Sequence, residues 1–260
     1  MRKIYTSNSL NSIILMVAAI LSLAIGALCF LLLFSISDNT SELAALLKKS
    51  LFVFLISGIS FFVLSRKMRP KESFELSEND ITIINHKTKE RKQILIKDIT
   101  NEVSFYSGKM ALLHLAFQEN DGDEWHIINP KVKKYMELIN HFKNLYHKHR
   151  TPIVVQQQNN GSSILFRTSS DNLTISQLTH LPHSRLSKYN KSIVVSKTKV
   201  LIDNKEFLFN DMQTAVITND SNIVAFDKNK SEMFVIRYSQ ITSPDVFLEL
   251  LKNGLQNAAS

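Results

Sequence analysis

The chain of 260 residues holds one cysteine, one tryptophan, six glycines and five prolines. The cysteine, Cys29, lies inside an apolar run, so no intramolecular disulfide can form and no cysteine nucleophile exists in the polar remainder. This agrees with a reducing compartment for that remainder. So few glycines leave no phosphate-cradling loop, and neither a Gly-x-Ser-x-Gly elbow nor a His-Glu-x-x-His pair occurs. The expectation is a protein that is not an enzyme and has no catalytic residue, cofactor or bound metal. Acidic residues are also short: 31 Lys and Arg against 23 Asp and Glu leave a net charge of +8. The surplus is spread along the chain rather than gathered in one patch, which argues against nucleic acid as a partner and suits an anionic lipid surface.

What the chain has in quantity is apolar sequence near its start. Ile13 to Phe34 contains no charged residue, and as a helix it reaches ~33 Å, enough to cross a hydrocarbon core. Leu51 to Leu64 is shorter, but Leu43 to Leu47 extend it upstream and the intervening Lys48 and Lys49 can snorkel. A spanning helix from about Leu46 to Ser65 is expected, with a half-inserted segment as the alternative. The polar linker Ser35–Ser41 favours a tight antiparallel pair. The first run is too long for a signal-peptide core, and no small-residue cleavage pattern follows it. Arg2, Lys3, Arg66, Lys67, Arg69 and Lys71 flank the two runs on one side, against Lys48 and Lys49 on the other. The positive-inside rule then places both termini in the cytoplasm and the short loop outside. Residues 1–67 read as a transmembrane helical hairpin in contact with membrane lipids.

From Phe74 onward the pattern is that of strands. Phe74 to Leu76, Ile81 to Ile84, Ile94 to Ile96, Val103 to Tyr106, Leu112 to Phe117 and Trp125 to Ile128 are apolar or alternating, and Asp121-Gly122 is a hairpin signal. Asn129-Pro130 suits a helix start, and Val132, Tyr135, Met136, Ile139, Phe142 and Tyr146 share one helical face. The order then recurs. Ile193 to Ser196 with Val200 to Ile202 parallels Phe74 to Ser77 with Ile81 to Ile83. Phe207 to Met212 parallels Ile94 to Ile99, Val216 parallels Val103, and Ala225-Phe226 parallels Ala116-Phe117. Ser243-Pro244 parallels Asn129-Pro130, Val246, Phe247, Leu250 and Leu251 form a second apolar face, and Gly254 suits a C-terminal cap. This is the signature of an internal duplication. It divides the chain into 70–150, a connector 151–190 that includes the Gln- and Asn-rich stretch Gln156–Asn160, and 191–257. Ile164 to Arg167 suggests an added strand within the connector.

The apolar strand with its Leu-Ser-Glu turn, Phe74 to Glu78, the strand Ile81 to Ile84, and the triplet Ile94 to Ile96 followed by Asp98-Ile99 and Val103 resemble the bacterial pleckstrin-homology-like family. The second copy keeps Asp211 but has Met212 after it. The resemblance implies a fold class of mainly-β domains, each an antiparallel sheet closed by a C-terminal helix. Two such domains would stand behind a membrane hairpin in a bacterial inner membrane.

Candidate sites are few. His86 to Lys92 is a basic hairpin close to the bilayer, and Lys87, Lys89, Arg91 and Lys92 are the candidate contacts for anionic lipid; an ordinary solvated hairpin is the alternative. His141, His147 and His149 cluster beside Lys143, Lys148 and Arg150, a pattern that better suits a solvated helix end than a metal site. His180 and His183 flank Pro182 in a loop, and Asp121, Asp123 and Glu124 lack calcium-loop spacing. The expected function is presentation of tandem interaction domains to the cytoplasm, for a protein partner or a second copy of the chain. The alternatives are an immunity or regulatory protein that neutralises a toxin or envelope factor, and an anionic-lipid-binding module working through the first hairpin.

Overall fold

Three residues ahead of the first apolar run, Lys3–Tyr5, form strand β1, and the helical pair follows as α1 (Leu10–Ser35) and α2 (Glu42–Met68). A computed structural model describes residues 2–6, 9–35, 42–69, 72–106, 112–120, 124–169, 186 and 189–259. Both helices are long and apolar enough to cross a membrane. Their seam is built on a seven-residue spacing of small residues. Ser12, Ala19 and Gly26 are buried in α1; Ala44, Gly58 and Ser65 are buried in α2. Ser12 Oγ donates to the Ser65 carbonyl at 2.9 Å, and Gly26 lies against Phe54 and Leu51. A methyl on Gly58 would stand 2.7 Å from Leu23 Cγ. Small residues at this repeat let two backbones approach where lipid offers no hydrophobic drive to associate. The large apolar side chains, among them Ile14, Leu21, Leu28, Phe52 and Ile56, face outward.

The chain then returns as β2 (Glu72–Leu76), β3 (Asp80–Asn85) and β4 (Arg91–Leu95). These strands form an antiparallel sheet in the order β1-β2-β3-β4, with Tyr5 opposite Phe74 and Lys3 opposite Leu76. The helical pair is thus an insertion between two neighbouring strands, so both of its free ends emerge on one side. After a 3-10 turn at Ile96–Asp98 come β5 (Asn101–Tyr106), β6 (Leu112–Gln118) and β7 (His126–Ile128), a second, three-stranded sheet, and then α3 (Tyr135–Asn159).

The same order recurs. β8 (Ile164–Ser169), β9 (Tyr189–Val195), β10 (Lys199–Ile202) and β11 (Lys205–Leu208) make a four-stranded sheet, followed by a 3-10 turn at Phe209–Asp211. β12 (Met212–Ile217), β13 (Asn222–Asp227) and β14 (Glu232–Arg237) make the three-stranded sheet, and α4 (Pro244–Ala259) closes it. Equivalent turns use equivalent hydrogen bonds. Ser77 N–H donates to the Asp80 carbonyl and Ser196 N–H to the Lys199 carbonyl, both at 2.9 Å. Ile96 N–H reaches the Asn79 carbonyl at 2.8 Å, and Phe209 N–H the Thr198 carbonyl at 2.9 Å. We call the two sets the first and second arrays. One contiguous core runs through both, from Tyr5, Phe74 and Phe142 to Phe209 and Phe247.

Several expectations are corrected. Residues 3–5, expected within the helical hairpin, belong to a sheet. Residues 151–159, expected to open a connector, continue α3 past Pro152, whereas the strand expected at Ile164 to Arg167 is present as 164–169. Gln158, read within a linker, is fully buried: its Nε2 donates to the Ser196 carbonyl (3.0 Å) and the Leu250 carbonyl (3.2 Å), and its Oε1 accepts from Asn253 (2.8 Å). Asn129 does not cap α3. Its Oδ1 accepts the Lys131 N–H in a local turn, Lys133 N–H goes to the Thr6 carbonyl, and Lys134 at φ 56° ends that turn before the helix begins. Gly254 is no cap either; it sits within α4, where a methyl group would collide with the Phe209 ring. The strand alignment shifts by one in β13. Val103 pairs with Ala116 and Val216 with Val224, so Val224, not Ala225, is the counterpart of Ala116. The Asp121-Gly122 turn, the 36–41 linker, and His180, Pro182 and His183 lie outside the described residues.

Candidate functional site

The basic hairpin between β3 and β4 is held by Asn85, whose Oδ1 accepts the N–H groups of Lys87 (2.9 Å) and Thr88 (3.2 Å); Asn85 N–H donates to the Glu90 carbonyl. Lys89 takes φ 65° to close the turn. The four candidate lipid contacts separate into two kinds. Arg91 Nη2 donates to Glu75 Oε1 at 2.6 Å, and Lys92 is 2.7 Å from Glu119 and 3.3 Å from His126 Nε2. Glu75 also meets Arg2 at 3.5 Å, while Arg2 reaches Asp80 (3.0 Å) and Thr82 (2.8 Å). Arg91 and Lys92 therefore have carboxylate partners on the sheet. Lys87 and Lys89 are exposed at the tip, with no ion pair among the described residues.

The structure places this tip at the end of the helical pair. His86, on the hairpin, and Arg69, just past α2, line a cavity of about 380 Å³ with Ser9, Ser12, Ile13, Met16 and Val17 of the α1 end. In the sequence His86 is only the edge of a basic run, and Arg69 only a topology signal. Sequence could not join them, because the contact depends on β1 and β2 pairing across the inserted helices. Of the histidine cluster, His149 Nε2 lies 2.8 Å from the Glu78 carbonyl. Among the described residues, no group of three His, Cys, Asp or Glu side chains is placed to hold a metal ion.

A second site is the junction between arrays. Glu102 of β5 is buried, and Ser104 Oγ donates to its carboxylate. Its carbonyl accepts the Ser243 N–H (2.7 Å), its own N–H donates to Ser243 Oγ (3.2 Å), and Ser243 Oγ lies 2.7 Å from Tyr146 Oη. Lys143 of α3 pairs with Asp245 of α4 at 3.2 Å and donates to Tyr238 Oη at 3.0 Å. Burial pushes the Glu102 carboxyl above the usual range, against the pull of Lys143 and Ser104. Burial likewise raises Tyr146 and Tyr238, which keeps both phenols protonated. These groups bind element to element; nothing among them forms a nucleophile–base pair.

The outer sheet faces of the two arrays differ. In the first array, Val103, Ala116 and Ile127 form a cross-strand row on the three-stranded sheet, and Leu186 and Tyr189 cover it with Phe105 and Trp125. Tyr189 Oη donates to the Ser239 carbonyl at 2.6 Å, fixing that cover. The equivalent row of the second array is Val216, Val224 and Val235, with Val216 40% and Val235 48% exposed. On the four-stranded sheets, the first array has Ile4, Glu75 and Thr82 in a row, with Glu75 ion-paired. The second has Leu165, Val194 and Leu201, all apolar, with Leu165 47% exposed. Comparison of the chain with models of protein families, with curated proteins and with solved structures gives no match.

Proposed function

We propose that this chain is a non-enzymatic protein of a bacterial inner membrane, with both termini in the cytoplasm. In this reading α1 and α2 anchor two pleckstrin-homology-like domains, one built from residues 3–5 and 72–159, the other from residues 164–259. The domain reading is supported by four strands, a 3-10 turn, three strands and a helix recurring with the same turn hydrogen bonds. The first domain is mounted on the bilayer through its interrupted sheet. The second binds a polypeptide partner.

One observation carries the binding claim: Val216 and Val235, on either side of the buried Val224, are exposed, while their counterparts Val103 and Ile127 are covered. The cover on the first row names the chemistry of the occupant. It is a segment of chain that presents a leucine and an aromatic side chain, as Leu186 and Tyr189 do. Such an anchor buries apolar area that a lone domain leaves wet.

Photo-crosslinking from a benzoylphenylalanine at Val235 in growing cells tests this. The reading expects a crosslinked polypeptide that is absent when the probe stands at Lys228 and lost on Val216→Lys. A product at twice the 29.7 kDa chain mass assigns the occupant to a second copy. Equal yields at Val235 and Lys228, or a product indifferent to Val216→Lys, would reject it.

A further inference from the structure

We infer that the cavity between the start of α1, Arg69 and His86 holds the headgroup phosphate of an anionic phospholipid, with an acyl chain along α1. This rests on the membrane reading of the helical pair. Polarity changes along the cavity in the order a lipid requires. Arg69, His86 and Ser9 stand at the end where the sheets begin. Ile13, Met16 and Val17 continue the lining down the helix toward the hydrocarbon. Ile13 and Val17 are among the side chains α1 turns outward, so a chain lying there stays in contact with bulk lipid.

The charge is available. Among the described residues neither Arg69 nor His86 is held in an ion pair, and the unpaired Lys87 and Lys89 lie on the same hairpin as His86. Arg91 and Lys92, by contrast, are bound to Glu75 and Glu119 and add little to a ligand. The guanidinium of Arg69 matches two phosphate oxygens at once, and the N-terminal end of α1 contributes a favourable field. At about 380 Å³ the space takes a phosphate and the first part of one acyl chain rather than a whole lipid. The lipid would therefore sit in the annulus with its phosphate fixed, locking the angle between the helical pair and the first sheet.

The test uses the full chain in neutral detergent, titrated with phosphatidylglycerol, phosphatidylcholine or inorganic phosphate, with retained lipid counted by native mass spectrometry. Phosphatidylglycerol should bind about tenfold tighter than phosphatidylcholine, and Arg69→Gln should remove about tenfold of that affinity. Arg69→Lys should keep most of it, and Lys228→Gln all of it. Ile13→Trp, which fills the acyl part of the cavity and leaves the charges in place, should also weaken retention. Unchanged phosphatidylglycerol affinity in Arg69→Gln and Ile13→Trp would overturn the site. Competition by millimolar inorganic phosphate alone would transfer it to a soluble phosphate ligand and overturn the lipid assignment. Recovery of the chain in the soluble fraction without detergent is a different failure, that of the membrane reading itself.

Discussion

Glu102 shows how a single residue reports the junction between arrays. Its carboxyl is raised by burial, so the folded value stands above the unfolded one. The group then contributes stability that is complete below about pH 4 and is lost as pH rises through the folded value. Glu102→Gln keeps the shape and the hydrogen bond to Ser104 without the charge. The variant should lose less stability than the parent as pH rises above about 4, read as the thermal midpoint at each pH. Parallel profiles would place the titration elsewhere. Gly254 makes a second residue-scale case. Gly254→Ala should cost about 1–3 kcal/mol through overpacking against Phe209, and Phe209→Leu should relieve part of that cost in the double variant. Neither role was legible in the sequence. A glutamate in an alternating strand looks like any outward polar residue, and a glycine late in an apolar helix looks like a cap. The reason each is needed lies on an element distant in the chain, Ser243 for Glu102 and Phe209 for Gly254.

Elements were read best where a local pattern decided them. The apolar face Val246, Phe247, Leu250 and Leu251 of α4 is buried as its spacing implied. The turns after Leu76 and Val195 follow from a serine whose side chain and N–H both bind nearby. α3 was read short because Pro152 and the glutamine run carry the composition of a linker. Its second half is helical for tertiary reasons: Val154 and Gln158 are buried, the latter bonded to the turn after β9 and to α4. Gln158→Leu should therefore destabilise the protein by about 1–3 kcal/mol, because it removes the buried hydrogen bond to the Leu250 carbonyl. Gln157→Leu, at an exposed neighbour, should change it little. β1 is not legible in the sequence, because three residues before an apolar run give no pattern of their own. Between the two apolar helices, the Ser12/Ser65, Ala19/Gly58 seam predicts that Gly58→Leu forces α1 and α2 apart. A distance between spin labels at Leu31 and Leu46 should broaden in that variant and stay narrow in Val53→Leu, which changes an outward side chain.

For the whole molecule, the insertion of two helices between hydrogen-bonded strands fixes how the β portion meets the helical pair. A tail-anchored domain swings on its linker; here β1 and β2 both run into the helices within a few residues and pair with each other. Tyr5, buried against the core of the first array, ties the extreme N-terminal segment into that mount. Tyr5→Ala should cost about 3 kcal/mol of stability despite its place five residues from the start, as measured by unfolding in detergent. The second array hangs on the first through α3, the Glu102–Ser243 bonds and the Lys143–Asp245 pair. Val216 and Val235, exposed on its outer sheet face, are therefore held at a set position relative to the first array.

The most direct measurement is labelling of single cysteines by a membrane-impermeant maleimide in intact cells, in a background carrying Cys29→Ala. A cysteine at Asn39 should label from outside, while cysteines at Lys199 and Lys228 should label only after the membrane is opened. Labelling of all three positions in intact cells, or of Lys199 and Lys228 but not Asn39, would contradict a chain that crosses twice and keeps both β arrays inside.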